Sequence, residues 1–307
     1  MATRFEFVLV GENETQLRAA GEEALEEIER VESRLSLYRS GSEIAEINRR
    51  AGAEWVRSSP EVFALLTRSV AYWQLSEGCF DPTIAPLVRC WGFRKGTGSR
   101  PTDEEVSAAR SLVGMGKVEF DAATHSIRFE RAGMMLDLGS IGKGYALDRA
   151  ADILRDAGVE NALLHGGTST IFALGADPEA SGWKVAIEHP GAEGEDKVLA
   201  VLELKDESLS VSAVWGKYFE IDGKRYGHVI DPRTGWPAAN VLLGAMVLQS
   251  AEGTDALSTA VLLASDNELE TFVQKLPEAR YLQIREGQDR VRTRAIELRL
   301  SNRERTS

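Results

Sequence analysis

Three glycines, Gly139, Gly142 and Gly144, fall within the nine residues Asp137-Leu-Gly-Ser-Ile-Gly-Lys-Gly-Tyr145. The apolar run Met134-Met135-Leu136 precedes them and reads as the end of a strand. After them, Ala146 to Leu154 carries apolar residues at helical spacing, and Gly158 is placed as a C-terminal stop. The stretch therefore predicts a glycine-rich turn that delivers a strand into a helix N-terminus. Such a turn lets backbone approach a ligand closely, exposed helix N–H groups favour phosphate, and Lys143 adds a positive charge.

Two familiar phosphate loops are excluded by spacing. A Walker loop needs four residues between its first glycine and Gly-Lys, followed by Ser or Thr. Here two residues separate Gly139 from Gly142, and Gly144 follows Lys143. The order Gly139, Gly142, Gly144 also fails the dinucleotide pattern G-x-G-x-x-G. On glycine spacing alone, a bare tight turn fits as well as a ligand loop.

The 307 residues suffice for a large core. A net charge of −12 argues against broad binding to nucleic acid or anionic membranes. It leaves room for an anionic small ligand, because a metal or a helix end can reverse the local field. Two cysteines, Cys79 and Cys90, and four scattered histidines make a zinc site or disulfide framework a poor fit. Met1 to Val10 carries Arg4 and Glu6 and no long apolar core, so it reads as a strand rather than a leader. No run approaches the ~18 apolar residues of a membrane span. The expected location is the cytoplasm.

Helices are expected over Thr15–Arg34, Ser42–Arg49, from Ser59-Pro60 to Gly78, from the capping box Thr102–Glu105, and near Asp255–Ala264 and Glu268–Leu276. Strands are expected between Lys117 and Leu138, broken near Ala122–His125. Others are expected at Ala162–His165, Thr170–Leu174, Trp183–Ile187, Val198–Leu204 and Val291–Leu300. Tyr218–Ile221 and Lys224–Tyr226 flank Asp222-Gly223 as a hairpin. Irregular interspersion of strands and helices predicts an α+β fold with largely antiparallel pairing. One folded unit is expected over 1–301, with a frayed tail at 302–307.

Four further segments stand out: Ser36–Ile44 with Asn48; Gly78–Val88 with Trp91-Gly-Phe93; His228-Val-Ile-Asp-Pro-Arg-Thr-Gly-Trp-Pro237; and Thr254-Asp-Ala-Leu-Ser-Thr-Ala260. Each alone is explained by turn chemistry, core packing or a helix-end preference. Together, in this order, they resemble the ApbE family of FAD:protein FMN transferases, over Met1 to about Leu263. Asp137–Tyr145 resembles the family's D-L-G-x-I-A-K-G-Y block, with Gly142 where Ala is usual. His228–Pro237 resembles H-I-I-D-P-x-T-G-x-P, Asp255–Thr259 resembles D-A-x-x-T, and Gly166-Gly167 fits a G-G turn. Ser212-Ala-Val-Trp215 stands where a more Ser/Gly-rich turn is common.

The resemblance implies a fold with the FAD site between lobes and a reaction in which a Thr or Ser hydroxyl of an acceptor protein takes FMN from FAD, releasing AMP. It implies Mg²⁺ held by Asp255, Thr259 and the Ser140 carbonyl, hard oxygens suited to that ion. The i,i+4 spacing of Asp255 and Thr259 places both on one helical face. It implies FAD contacts at Asp137 and Lys143, an adenine-side pocket with Cys79, Phe80 and Asp81, and Tyr38 at the flavin. Met1 matches a family methionine. His228, with Val229 packing nearby, is the candidate for proton transfer or phosphate contact, and Asp255 shares the catalytic role. The alternatives are a Mg-dependent FAD pyrophosphatase and a non-catalytic FAD-binding protein.

Overall fold

The computed structural model describes residues 3–93, 98–189, 197–214, 218–221, 224–286, 291–294 and 296. The first half runs β1 (Phe5–Val10), α1 (Glu14–Leu35), α2 (Glu43–Arg50), β2 (Val56–Arg57), α3 (Pro60–Leu75), α4 (Ala85–Cys90), α5 (Asp103–Ser111), β3 (Val118–Asp121), β4 (Ser126–Phe129) and α6 (Gly142–Asp156). The second half begins with β5 (Asn161–Gly166), β6 (Thr170–Leu174), β7 (Trp183–Glu188), β8 (Val198–Leu204), β9 (Glu207–Ala213), β10 (Tyr218–Ile221) and β11 (Lys224–Gly227). It closes with β12 (Val241–Leu248), α7 (Ala251–Leu263), α8 (Asp266–Gln274), β13 (Arg280–Arg285) and β14 (Val291–Arg294).

The α+β expectation holds, and every strand pairing among the described residues is antiparallel. The main sheet has seven strands in the order β1-β5-β6-β9-β12-β13-β14. Alternation along its strands sends side chains to two different cores. Leu209 of β9 and Leu243, Ala245 and Val247 of β12 pack under the β7–β8 hairpin. Phe172 of β6 and Met246 of β12 face the helical layer, with Leu147 of α6 and Leu257 and Val261 of α7. A third cluster joins Leu87 and Trp91 of the α4 region to Val106, Tyr226 and Ile230.

The helices begin where their caps dictate. Asn13, Ser42 and Ser59 each accept from a first-turn amide, and Pro60 opens α3. Thr102–Glu105 and Ser265–Glu268 both form reciprocal capping boxes. Gly78 and Gly158 take φ of 81° and 77° behind α3 and α6, the left-handed conformation their stop role requires.

Several sequence expectations are corrected. Met134–Leu136 has no regular secondary structure and belongs to no strand. Its partner is a side chain: the Asn48 amide donates to Leu136 O at 2.9 Å and accepts from Leu136 N at 2.6 Å. One asparagine thus replaces a neighbouring strand. Ser212-Ala213 ends strand β9 rather than forming a turn, and Trp215 lies outside the described residues. The strands β9, β12 and β13 were not expected, although they make up three of the seven in the main sheet. Asp222-Gly223 lies outside the described residues, but the register Ile221↔Lys224 leaves just that pair to connect β10 and β11. Of the expected strand 291–300, only β14 and Ile296 lie among the described residues, and the tail at 302–307 lies outside them.

Candidate active site

The glycine turn is fastened from three directions. Asp137 N donates to Pro82 O at 2.7 Å, and Asn48 clamps Leu136 beside it. Asp137 Oδ1 then accepts from Gly139 N at 2.9 Å, folding the chain back on itself. The turn delivers into α6, whose first residue is Gly142 and whose N-cap, Ile141, supplies no side-chain cap.

The missing cap comes from another helix. Asp255, in the second turn of α7, accepts from Gly144 N at 3.0 Å through Oδ2. Its Oδ1 accepts from Lys143 Nζ at 2.9 Å and from Thr170 Oγ1 at 3.1 Å. The carboxylate is 4% exposed and Lys143 is 19% exposed, so the lysine forms the outer side of the pair. Lys143 Nζ also donates to Gly139 O at 3.2 Å. An ammonium thus sits between a carboxylate and a carbonyl of the glycine turn. Asp255, Lys143, Asp137 and the turn carrying Ser140 are therefore brought together.

Two glycines let the elements approach this closely. A Cβ on Gly144 would stand 1.9 Å from Ala251 O, and one on Gly244 of β12 would stand 2.4 Å from Leu262 N. Asp148, one turn beyond Gly144, accepts from Ser250 Oγ at 2.9 Å, Ala251 N at 2.8 Å and Glu252 N at 2.9 Å. It closes the N-terminus of α7 as Asp255 closes that of α6. Burial pushes the Asp148 carboxyl up, against these hydrogen bonds. Glu252 in turn is buried under Arg68 of α3, with contacts of 2.6 to 3.1 Å.

Thr259 is partly buried and its Oγ1 lies 3.1 Å from Ser212 Oγ. His228 follows β11 and is also partly buried, while Val229 packs against the main core. The loop after it is locked by Arg233, which bonds both Asp231 oxygens at 2.9 and 2.7 Å, Glu268 at 2.6 Å and Leu263 O at 3.2 Å. Those bonds raise the arginine's already high pKa. Trp91 Nε1 donates to Gly235 O at 2.8 Å and pins the far end of the loop. The His228 segment is thus tied to the C-terminal end of the helix that carries Asp255.

The stretch Cys79–Asp81 is buried. Its three residues are only 1%, 1% and 5% exposed. Asp81 accepts from Thr83 N, Thr83 Oγ1 and Met115 N, and Phe80 meets Tyr72 edge-on. Burial pushes the Cys79 thiol up to about 12. The stretch leads into Pro82, whose carbonyl accepts from Asp137 N. Tyr38, by contrast, is 72% exposed in the link between α1 and α2. Met1 lies outside the described residues; Thr3 packs against the turn at Gly167, whose φ is 69°. Sequence reading missed Thr170, Ser210, Ser212, Asp148 and the Arg68–Glu252 pair. For Ser210 and Ser212 the signal is the alternating Ser208-Leu-Ser-Val-Ser212, which sets three hydroxyls on one face of a strand.

Among the described residues, no three His, Cys, Asp or Glu side chains cluster as a metal centre. A site of one carboxylate, one hydroxyl and one backbone carbonyl still fits a hard cation such as Mg²⁺, which retains several waters. The Lys143 ammonium, held by Asp255 Oδ1 and Gly139 O, already places one positive charge against that carboxylate. No helix among the described residues is long and apolar enough to cross a membrane.

This architecture is that of the flavin transferases of known structure. The ApbE protein of Thermotoga maritima superposes with a TM-score of 0.85 at 29% identity, over 95% of this chain and 94% of that one. The flavin transferase ApbE of Vibrio cholerae gives 0.80 at 26% identity, over 96% and 94%. In sequence, an FAD:protein FMN transferase of Vibrio cholerae is 32% identical over 244 residues, covering 78% of this chain and 71% of that protein. The enzyme of the same name from Haemophilus influenzae is 31% identical over 279 residues, covering 88% and 80%. The sequence model of the ApbE family matches residues 1–282, and the chain belongs to that family.

Proposed function

We propose that this chain transfers the FMN moiety of FAD to a Thr or Ser hydroxyl of an acceptor protein, with Mg²⁺ as its metal. The observation that carries this reading is the meeting of Asp255, Lys143 and the glycine turn at the start of α6. Asp255 and Lys143 together carry no net charge. An FAD pyrophosphate placed against them therefore needs a further cation. Asp255, Thr259 and the Ser140 carbonyl would hold Mg²⁺, which neutralises charge on the phosphoryl oxygens when bound. Lys143 holds the pyrophosphate at the start of α6. Asp137 shapes the turn against FAD, and Tyr38 offers an exposed aromatic ring to the isoalloxazine.

The chemistry is a single displacement at phosphorus. The acceptor oxygen forms a bond to the FMN phosphorus, the bond to AMP breaks, and AMP leaves with the electron pair. The acceptor hydroxyl proton goes to His228, held in place by the Arg233-locked loop. No covalent enzyme intermediate is required. Positioning and charge neutralisation carry the rate.

The test is intact mass of a candidate acceptor incubated with this protein, FAD and Mg²⁺. Transfer adds FMN to the acceptor and releases AMP. Equal release of FMN and AMP with no acceptor mass gain identifies a pyrophosphatase. FAD bound but unchanged identifies a flavin-binding protein.

A further inference from the structure

Asp255 and Thr259 are joined by an unbroken row of hydroxyls. Thr170 Oγ1 donates to Asp255 Oδ1 at 3.1 Å, and Ser210 Oγ lies 3.1 Å from Thr170. Ser258 Oγ lies 3.3 Å from Ser210, Ser212 Oγ 2.9 Å from Ser258, and Thr259 Oγ1 3.1 Å from Ser212. Thr170, Ser210 and Ser258 are sealed from solvent at 0%, 1% and 0% exposure.

A hydroxyl has one proton to give and two lone pairs. Asp255 receives from Lys143, the Gly144 amide and Thr170, so it acts only as an acceptor. The Thr170 proton is therefore committed to Asp255, and Ser210 must donate to Thr170. Ser258 directs its proton to Ser210 or to the Asp255 carbonyl at 3.1 Å. Either choice leaves Ser258 able only to accept from Ser212. Ser212 then accepts from Thr259.

We infer that this row fixes the polarity of the Thr259 hydroxyl, turning its proton inward and its lone pairs outward. Thr170, Ser210, Ser258 and Ser212 are positioning residues, and the Asp255 carboxylate is the origin of the order. This rests on the reading of Asp255 and Thr259 as Mg²⁺ ligands, and it explains how a neutral hydroxyl is kept ready for a cation. Without Thr170's donor, Ser210 can turn its proton toward Ser258. When Ser258 in turn moves its proton from the Asp255 carbonyl to Ser212, the row reverses and Thr259 presents a proton to the ion.

The test measures Mg²⁺ binding to the FAD-loaded protein by calorimetry, and by the Mg²⁺-dependent rise in Tm. Loss of a group that orients a metal ligand typically costs about 10- to 100-fold in affinity. Thr170→Val and Ser210→Ala should each weaken Mg²⁺ about 10-fold or more, while Thr170→Ser retains wild-type affinity. Ser208→Ala is the control. Its hydroxyl lies on the same strand and bonds Thr254 and Ile171 O, outside the row, so Mg²⁺ affinity should not change. Two results overturn the row alone. One is wild-type affinity in Thr170→Val and Ser210→Ala while Asp255→Asn loses binding. The other is an equal loss in Ser208→Ala. Unchanged affinity in Asp255→Asn overturns the metal reading and the row with it.

Discussion

Gly144 of α6 and Ala251 of α7 meet backbone to backbone: a Cβ on Gly144 would stand 1.9 Å from the Ala251 carbonyl oxygen and 2.8 Å from Asp255 Cβ. In a helix with free space, Gly→Ala stabilises by about 1 kcal/mol. Here overpacking reverses the sign, at a cost of roughly 1–3 kcal/mol or more. Gly144→Ala should lower Tm and abolish AMP release, because it pushes Asp255 off the start of α6. At Gly253 of α7 the nearest atom to a new Cβ is the Tyr72 hydroxyl at 3.3 Å, so Gly253→Ala should be close to neutral. Thermal melts of both variants decide this, and a Tm increase in Gly144→Ala would contradict the close crossing.

Asp255→Asn keeps the shape of the side chain and removes the negative charge beside Lys143. Loss of one comparable electrostatic contact at a reacting centre costs about 10²–10³ in rate. AMP release with acceptor present should fall by about that factor, and excess Mg²⁺ should restore part of it. Equal rates at limiting Mg²⁺ would remove Asp255 from the ligand set.

Tyr38 is 72% exposed, so its ring contributes little to the core. Tyr38→Ala should leave Tm unchanged while weakening FAD binding measured by flavin fluorescence. Unchanged affinity would place the isoalloxazine elsewhere.

The Cys79 thiol is pushed up to about 12 by burial, whereas an unfolded thiol titrates near ~8.5. The stabilising difference is complete below the unfolded value. Above it the unfolded chain releases a proton that the native state keeps, so stability falls as pH rises toward 12. The slope contributed is up to about 1.4 kcal/mol per pH unit. Urea denaturation at pH 8 and pH 10 should show a shallower decline in Cys79→Ala than in the parent. Parallel declines would show that Cys79 titrates normally in the native state.

Elements with local signals were legible in the sequence: the capped helices, the glycine turn entering α6, and the hairpin around β10 and β11. What escaped was set by contacts distant in sequence. The strand Glu207–Ala213 reads as half polar, yet Ser208 and Ser210 are buried because Thr254, Thr170 and Ser258 meet them. The run Val241–Leu248 shows no alternation because it is covered on both faces, by α7 and by the β7–β8 hairpin layer. Met134–Leu136 has strand composition, but Asn48 takes the place of a strand. At the site, Asp255 taken alone reads as a helix-end preference, and only the family resemblance singles it out. The partnership of Asp255 with the Gly144 amide needed the crossing of two helices.

From Ala251 to Leu263, Thr259 is the one position of α7 that is not buried. A helix enclosed in this way exchanges its amide hydrogens only when the whole molecule opens. The amides of Ala256–Ala260 should therefore be among the slowest to exchange with deuterium. The Thr259 hydroxyl is thus carried on a stretch of backbone as long-lived as the fold itself.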